Sequence, residues 1–171
     1  MNRGFTLMEM LIVVLIIAVL TAITFPQYQY LIYKSRYTQL VTLCDTIVNA
    51  QVRHRLATGT YTNRFDDLDV SLPSGGRVTT SEYQDSTSYP KFNITILGST
   101  DPVNNPGLHN VVIGYMSAGG LNYYHYYPRL NGEQGERQCR CNNESACKIC
   151  EKLGAVYTRE VGSEGSYYLF K

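Results

Sequence analysis

The chain has 171 residues, enough for one small domain, and its 15 lysines and arginines stand against 14 aspartates and glutamates, for a formal net charge of +1. So even a balance creates no basic field, and composition gives no support to nucleic-acid binding or to general attraction toward anionic lipid. No internal repeat or low-complexity segment breaks the chain into further domains.

The N-terminal segment is the most informative. Met10 to Phe25 contains no charged residue, and with Phe5 to Met8 the apolar stretch reaches about 20 residues, long enough to cross a bilayer as a helix. A secretory signal carries its small-residue cleavage site after the apolar core. Here Gly4 and a lone basic residue, Arg3, come before it. Cleavage between Gly4 and Phe5 removes residues 1–4 as a leader, keeps the helix, and, by discarding Arg3, leaves the side-chain charges balanced. One carboxylate, Glu9, lies near the start of this stretch. Such a group costs about 2.5–3.5 kcal/mol in the middle of a membrane helix, so it usually pairs and usually has a task. The new amine on Phe5 is the natural partner, and the amine of a staggered neighbouring copy is better placed than the chain's own. A contact of this head-to-tail kind repeats without closing and generates a filament.

Gly4, Phe5, Thr6, Leu7, Glu9 and Pro26, followed by Tyr28 and Lys34, resemble the N-terminal module of type IV pilins and the related pseudopilins. The likeness covers about the first 55 residues. It implies a prepilin peptidase that cuts after Gly4 and N-methylates Phe5, and a filament core built from the helix, with Glu9, Thr6 and Pro26 as assembly residues. It also implies an inner-membrane precursor and an extracellular homo-oligomeric pilus, served by an inner-membrane assembly platform and motor ATPases. The function implied is that of a structural pilus subunit supporting adhesion, twitching motility or DNA uptake. The alternative is a pseudopilin of a type II secretion system in a periplasmic pseudopilus. Major pseudopilins usually carry an acidic calcium-binding loop near the C-terminus, and this chain has no aspartate after Asp101, which favours the pilin.

The fold expected is α+β: a long helix, transmembrane over about 5–26 and amphipathic beyond, packed on a small antiparallel sheet with a disulfide-closed C-terminal loop. Past Pro26 the positions Tyr37, Leu40, Val41, Cys44, Ile47, Val48 and Val52 recur every three or four residues, giving one apolar stripe. Pro26 should kink or loosen the helix by removing one hydrogen bond. A helix over 5–57 would run roughly 80 Å, with Thr58-Gly59-Thr60 as its stop. Residues 58–171 then form the globular part. The region from the helix stop to Asp101 reads as a connection, with FDDLDVSLPSGG (65–76) a short turn rich in caps and breakers, followed by a strand at Lys91 to Leu97. Asn110 to Ser117 and Leu121 to Leu130 read as a hairpin about Ala118-Gly119-Gly120. Pro128 places the end of the second strand at an edge or its finish, and Arg137 to Cys141 is a further strand.

Cys139, Cys141, Cys147 and Cys150 cluster, and Cys44 stands apart on the helical stripe. In an exported chain clustered cysteines form disulfides, and four allow three connectivities that spacing leaves open. Resemblance to the pilin C-terminal loop implies Cys139 with Cys150, leaving Cys141 with Cys147 as an inner bridge. A four-thiolate zinc site is the rival reading, although five residues between the two pairs are little chain to wrap one ion. Cys44 is expected to be a buried free thiol.

No cofactor and no catalysis are expected. His54, His109 and His125 lie at no recognisable motif spacing from a nucleophile or carboxylate, and no phosphate-binding glycine loop is present. Tyr123, Tyr124, Tyr126 and Tyr127 put aromatics on both faces of one strand, for packing within the subunit and contact between subunits. Asn93-Ile94-Thr95 and Asn143-Glu144-Ser145 match a glycosylation pattern.

Overall fold

The computed structural model describes residues 6–98, 110–127, 135–161 and 165–170. It has two compact units, Met1–Arg36 and Tyr37–Lys171. Helix α1, Leu7–Thr58, contributes to both.

In the first unit every side chain from Thr6 to Phe25 is exposed, and the helix is long and apolar enough to cross a membrane. Its hydroxyls are disposed for such surroundings. Thr24 donates to the Leu20 carbonyl at 2.8 Å and Thr21 to the Ile17 carbonyl, so neither needs water. The loosening expected at Pro26 does not divide α1, which is helical without interruption through that position. Proline forfeits only its own bond to the Ala22 carbonyl, and the flanking turns persist.

In the second unit the amphipathic half of α1 buries Tyr37, Leu40, Cys44, Ile47 and Val48, as its periodicity predicts; Val41 and Val52 are half-buried. Gly59 ends the helix with φ 87°, its N–H donating to the Arg55 carbonyl at 2.8 Å, the left-handed stop that glycine makes cheaply. The chain leaving it is clipped back to the helix by Gln51. This buried amide donates to the Thr62 carbonyl at 2.8 Å and accepts from the Thr62 N–H at 3.1 Å.

One eight-stranded sheet follows. Its strands are β1 (Arg77–Thr80), β2 (Gln84–Ser88), β3 (Phe92–Leu97), β4 (Val111–Met116), β5 (Leu121–Tyr126), β6 (Arg137–Cys141), β7 (Ala155–Val161) and β8 (Gly165–Phe170). They lie in the order β1-β2-β3-β4-β5-β6-β8-β7, every neighbouring pair antiparallel. The strands expected from sequence, β3 to β6, form the middle. β1 and β2 extend the sheet from within the expected connection, the disulfide-closed C-terminal loop carries most of helix α2 (Glu144–Lys152), and the β7–β8 pair follows it. β4 and β5 make the expected hairpin, with Gly119 and Gly120 at φ 89° and 66°. β5 is central, with β4 and β6 on either side, and finishes at Tyr126, the second of the two readings offered for Pro128; Pro128 to Leu130 lie outside the described residues.

One face of the sheet packs on α1. Ile94, Ile96, Val112, Leu121 and Tyr123 are fully buried there, each aliphatic side chain worth about 1.5–3 kcal/mol when fully buried. The approach is close at Gly114, where a Cβ would fall 2.8 Å from Leu40 Cγ and 3.0 Å from Cys44 Sγ. Disulfides Cys139–Cys150 and Cys141–Cys147 tie β6 to α2. This is the pairing that the resemblance implied, and it overturns the zinc reading, because no thiolate in the cluster is left to bind an ion. Asn143 caps α2 by accepting from the Ala146 N–H at 2.9 Å and donates to the Gly119 carbonyl at 2.8 Å. Its amide is thus committed to the fold, against the glycosylation reading at that position.

Substituting Gly114→Ala should lower unfolding stability by about 1–3 kcal/mol through overpacking between helix and sheet. Denaturant unfolding of the detergent-solubilised chain checks this, and unchanged stability would show that the helix can move aside.

Candidate assembly interface

The start of α1 is a reciprocal cap. Thr6 N–H and Thr6 Oγ1 donate to Glu9 Oε2 at 2.8 and 2.9 Å, and Glu9 N–H donates back to Thr6 Oγ1 at 3.2 Å. This is a capping box, whose signature, threonine followed three residues later by glutamate ahead of an apolar run, is legible in the sequence. Two of the expected assembly residues therefore meet within one chain. The position of Gly4 and Phe5 falls outside the described residues, as does the side chain of Pro26.

The cap and the helix dipole account for only part of Glu9's position. An acidic side chain in the first turn gains about 0.3–1 kcal/mol from the dipole, against about 2.5–3.5 kcal/mol for placing it in an apolar membrane helix. Two hydrogen bonds reach Oε2 of the carboxylate, and neither brings an opposite charge.

In the second unit, α1 meets the sheet through a polar junction that local spacing does not reveal. Asp45 Oδ1 accepts from Tyr123 Oη at 2.6 Å and contacts His125 Nδ1 at 2.8 Å. His125, which no motif spacing singles out, is therefore an anchoring residue. His54 Nδ1 lies 3.2 Å from the Asp67 carbonyl, and His109 is outside the described residues. Burial pushes the Asp45 carboxyl up, but the hydrogen bonds from His125 and Tyr123, with the charges of His125 and Arg137, outweigh it and hold the group below its ordinary 3.8. Burial, then donation to Asp45, drives the Tyr123 phenol upward. Tyr37 adds a second anchor, donating to Cys139 Sγ at 2.9 Å. Cys44 is free and buried as expected, its thiol pushed up first by burial and then by Asp45.

The opposite face of the sheet carries an aromatic and cationic ladder. Arg140 lies 3.6 Å from the Tyr124 ring centroid and 4.3 Å from that of Tyr167, and donates to Tyr126 Oη at 3.0 Å. Tyr115 meets Tyr124 edge to face at 6.3 Å, and burial raises its phenol to about 12. Tyr123 on one face with Tyr124 and Tyr126 on the other gives the two-faced strand that alternation predicts. With Arg140 covering two rings, this face is self-packed.

Residues 1–25 match the family described as the prokaryotic N-terminal methylation motif. A fimbrial protein from Moraxella nonliquefaciens is 32% identical over 106 residues, covering 55% of this chain and 68% of that protein. No solved structure matches the chain. The class defined by the exposed apolar helix, the antiparallel sheet and the methylation motif is that of filament-forming structural subunits, and the chain belongs to the type IV pilin family of fimbrial proteins.

The depressed Asp45 carboxyl contributes stability that is present above its unfolded pKa and lost as pH falls through the lower folded value. The melting temperature of the wild type should therefore drop below pH 3.8, and Asp45→Asn should start lower at neutral pH but fall less over the same acid range. Parallel pH profiles for the two proteins would remove Asp45 as the group responsible.

Proposed function

We propose that the chain is a structural subunit of a type IV pilus, held in the inner membrane as a precursor, cut after Gly4 and N-methylated on Phe5. The apolar half of α1 then leaves lipid for the core of a helical homopolymer. Glu9, oriented by Thr6, pairs with the N-terminal amine of an adjacent copy and sets the stagger between them. The observation carrying this reading is a single carboxylate in a helical stretch whose every described side chain up to Phe25 is exposed. Apolar packing supplies attraction without direction, while one ion pair in a low-dielectric core selects one register. The pseudopilin alternative shares this N-terminal chemistry. The disulfide-tied C-terminal region and likeness to a fimbrial protein favour the pilus. Adhesion, twitching motility and DNA uptake are the roles open to such a filament.

Glu9→Ala should leave membrane insertion and leader removal intact but cut surface filaments severely, as seen by immunoblotting of membranes and electron microscopy of sheared cells. Mass spectrometry of wild-type filaments should show a chain beginning at methylated Phe5. Normal filaments from Glu9→Ala would refute the pairing.

A further inference from the structure

Within the Met1–Arg36 unit, α1 changes composition after its apolar stretch. Leu7 to Phe25 runs about 27 Å at 1.5 Å per residue, close to the roughly 30 Å hydrocarbon core of a bilayer. Residues 27–36, Gln-Tyr-Gln-Tyr-Leu-Ile-Tyr-Lys-Ser-Arg, follow in the same helix. Tyr28 and Leu31 are each 60% exposed, while Tyr30, Tyr33, Lys34 and Arg36 are half-buried. By helical spacing Tyr28 stands on the side of α1 opposite Tyr30 and Tyr33. A helix that packs one side on a core carries its aromatic residues as one stripe. Here they stand on both sides, as suits surroundings that are alike all round, and phenol rings collect where hydrocarbon gives way to lipid headgroups.

The charges in this region are of one sign. Between Glu9 and Asp45 the sequence carries only Lys34 and Arg36. Basic residues favour the cytoplasmic flank of a membrane helix. In a precursor whose sheet-bearing unit is exported, Lys34 and Arg36 fall on the far flank, against that bias, and Arg3 alone stands on the near one. Orientation of the helix therefore does not account for them, whereas the chemistry of the far surface does. Side chains of an α-helix lean toward its N-terminus, here back toward the membrane, and long basic ones snorkel along apolar surface. Lys34 lies nine residues past Phe25, about 13 Å along the axis, and this lean brings its ammonium closer by about one turn, or 5 Å, into the headgroup layer. The group of opposite charge in that layer is the lipid phosphodiester.

We infer that Tyr28, Tyr33, Lys34 and Arg36 form a binding site for phospholipid headgroups on the exported side of the membrane, with the tyrosine rings at the hydrocarbon boundary and the two cations on phosphodiester oxygens. The contact sets the depth at which α1, and with it Glu9, sits in the precursor, and it is given up when the helix leaves lipid. This rests on the membrane-precursor reading above and adds to it the ligand chemistry and the residues that meet it.

The test uses the full chain, labelled with nitrogen-15 at lysine and reconstituted in nanodiscs of phosphatidylcholine with phosphatidylglycerol. Solid-state NMR should show a lysine side-chain signal dephased by lipid phosphorus, and Lys34→Gln should remove that signal while both disulfides still form. Lys91, Lys148, Lys152 and Lys171, in the other unit, are internal controls. A lysine signal that lipid phosphorus leaves untouched, or dephasing that persists in Lys34→Gln, overturns the inference. So does equal dephasing by inorganic phosphate in phosphorus-free detergent, which would make the contact one with a free anion. A photo-crosslinking phenylalanine derivative at Leu15, in the same nanodiscs, separates the two readings. If it yields adducts to lipid acyl chains and Lys34 meets no phosphorus, the headgroup site alone falls; if it yields no lipid adduct, the membrane-precursor reading falls first and the site with it.

Discussion

A helix cannot leave its apolar half in water, and a carboxylate cannot rest in hydrocarbon without a counter-charge. The exposed stretch from Leu7 to Phe25 imposes the first constraint and Glu9 the second. A bilayer satisfies the first while leaving the second partly unmet. A bundle of staggered copies, each offering an amine where the next carries Glu9, would satisfy both. The Thr6–Glu9 capping box suits this role, since it fixes the carboxylate at the helix terminus before any partner arrives and limits the entropy lost when the pair forms.

The Tyr37–Lys171 unit is organised to keep the second half of α1 in one position on the sheet. Close packing at Gly114 sets the spacing and Asp45 with Tyr123 and His125 sets the orientation. The hydrogen bond from Tyr37 reaches Cys139, where the disulfides begin that bind α2 to β6. Surface ion pairs contribute less. Arg53 and Asp69 form a two-point pair at 2.7 Å, yet both are more than half exposed, a setting worth about 0–1 kcal/mol.

Much of this was legible because it is local and periodic. The apolar run and its amphipathic continuation place α1 within two residues of its observed bounds, and alternation with a glycine turn finds β3 to β6. Other elements hide for physical reasons. β1, Arg-Val-Thr-Thr, is an edge strand exposed throughout and so has no alternation to read. β2, Gln-Asp-Ser-Thr-Ser, buries Asp85 and Thr87, a polar choice that works only because Asp85 accepts from the Phe65 N–H at 3.0 Å and from Arg64 at 3.2 Å. α2 is short, and its cysteines draw attention to bonding rather than to helical spacing. The Asp45–His125 contact joins positions 80 residues apart, which no motif spacing can show. The capping box, by contrast, is a plain four-residue signal at Thr6 to Glu9.

The most direct measurement is a cryo-electron-microscopy map of the assembled filament at a resolution that shows side chains around Glu9. The proposed pairing places its carboxylate within about 4 Å of the N-terminal nitrogen of a neighbouring copy, inside a dry helical core. A map in which Glu9 meets only its own Thr6, or faces solvent with no terminal amine beside it, would contradict charge-registered assembly.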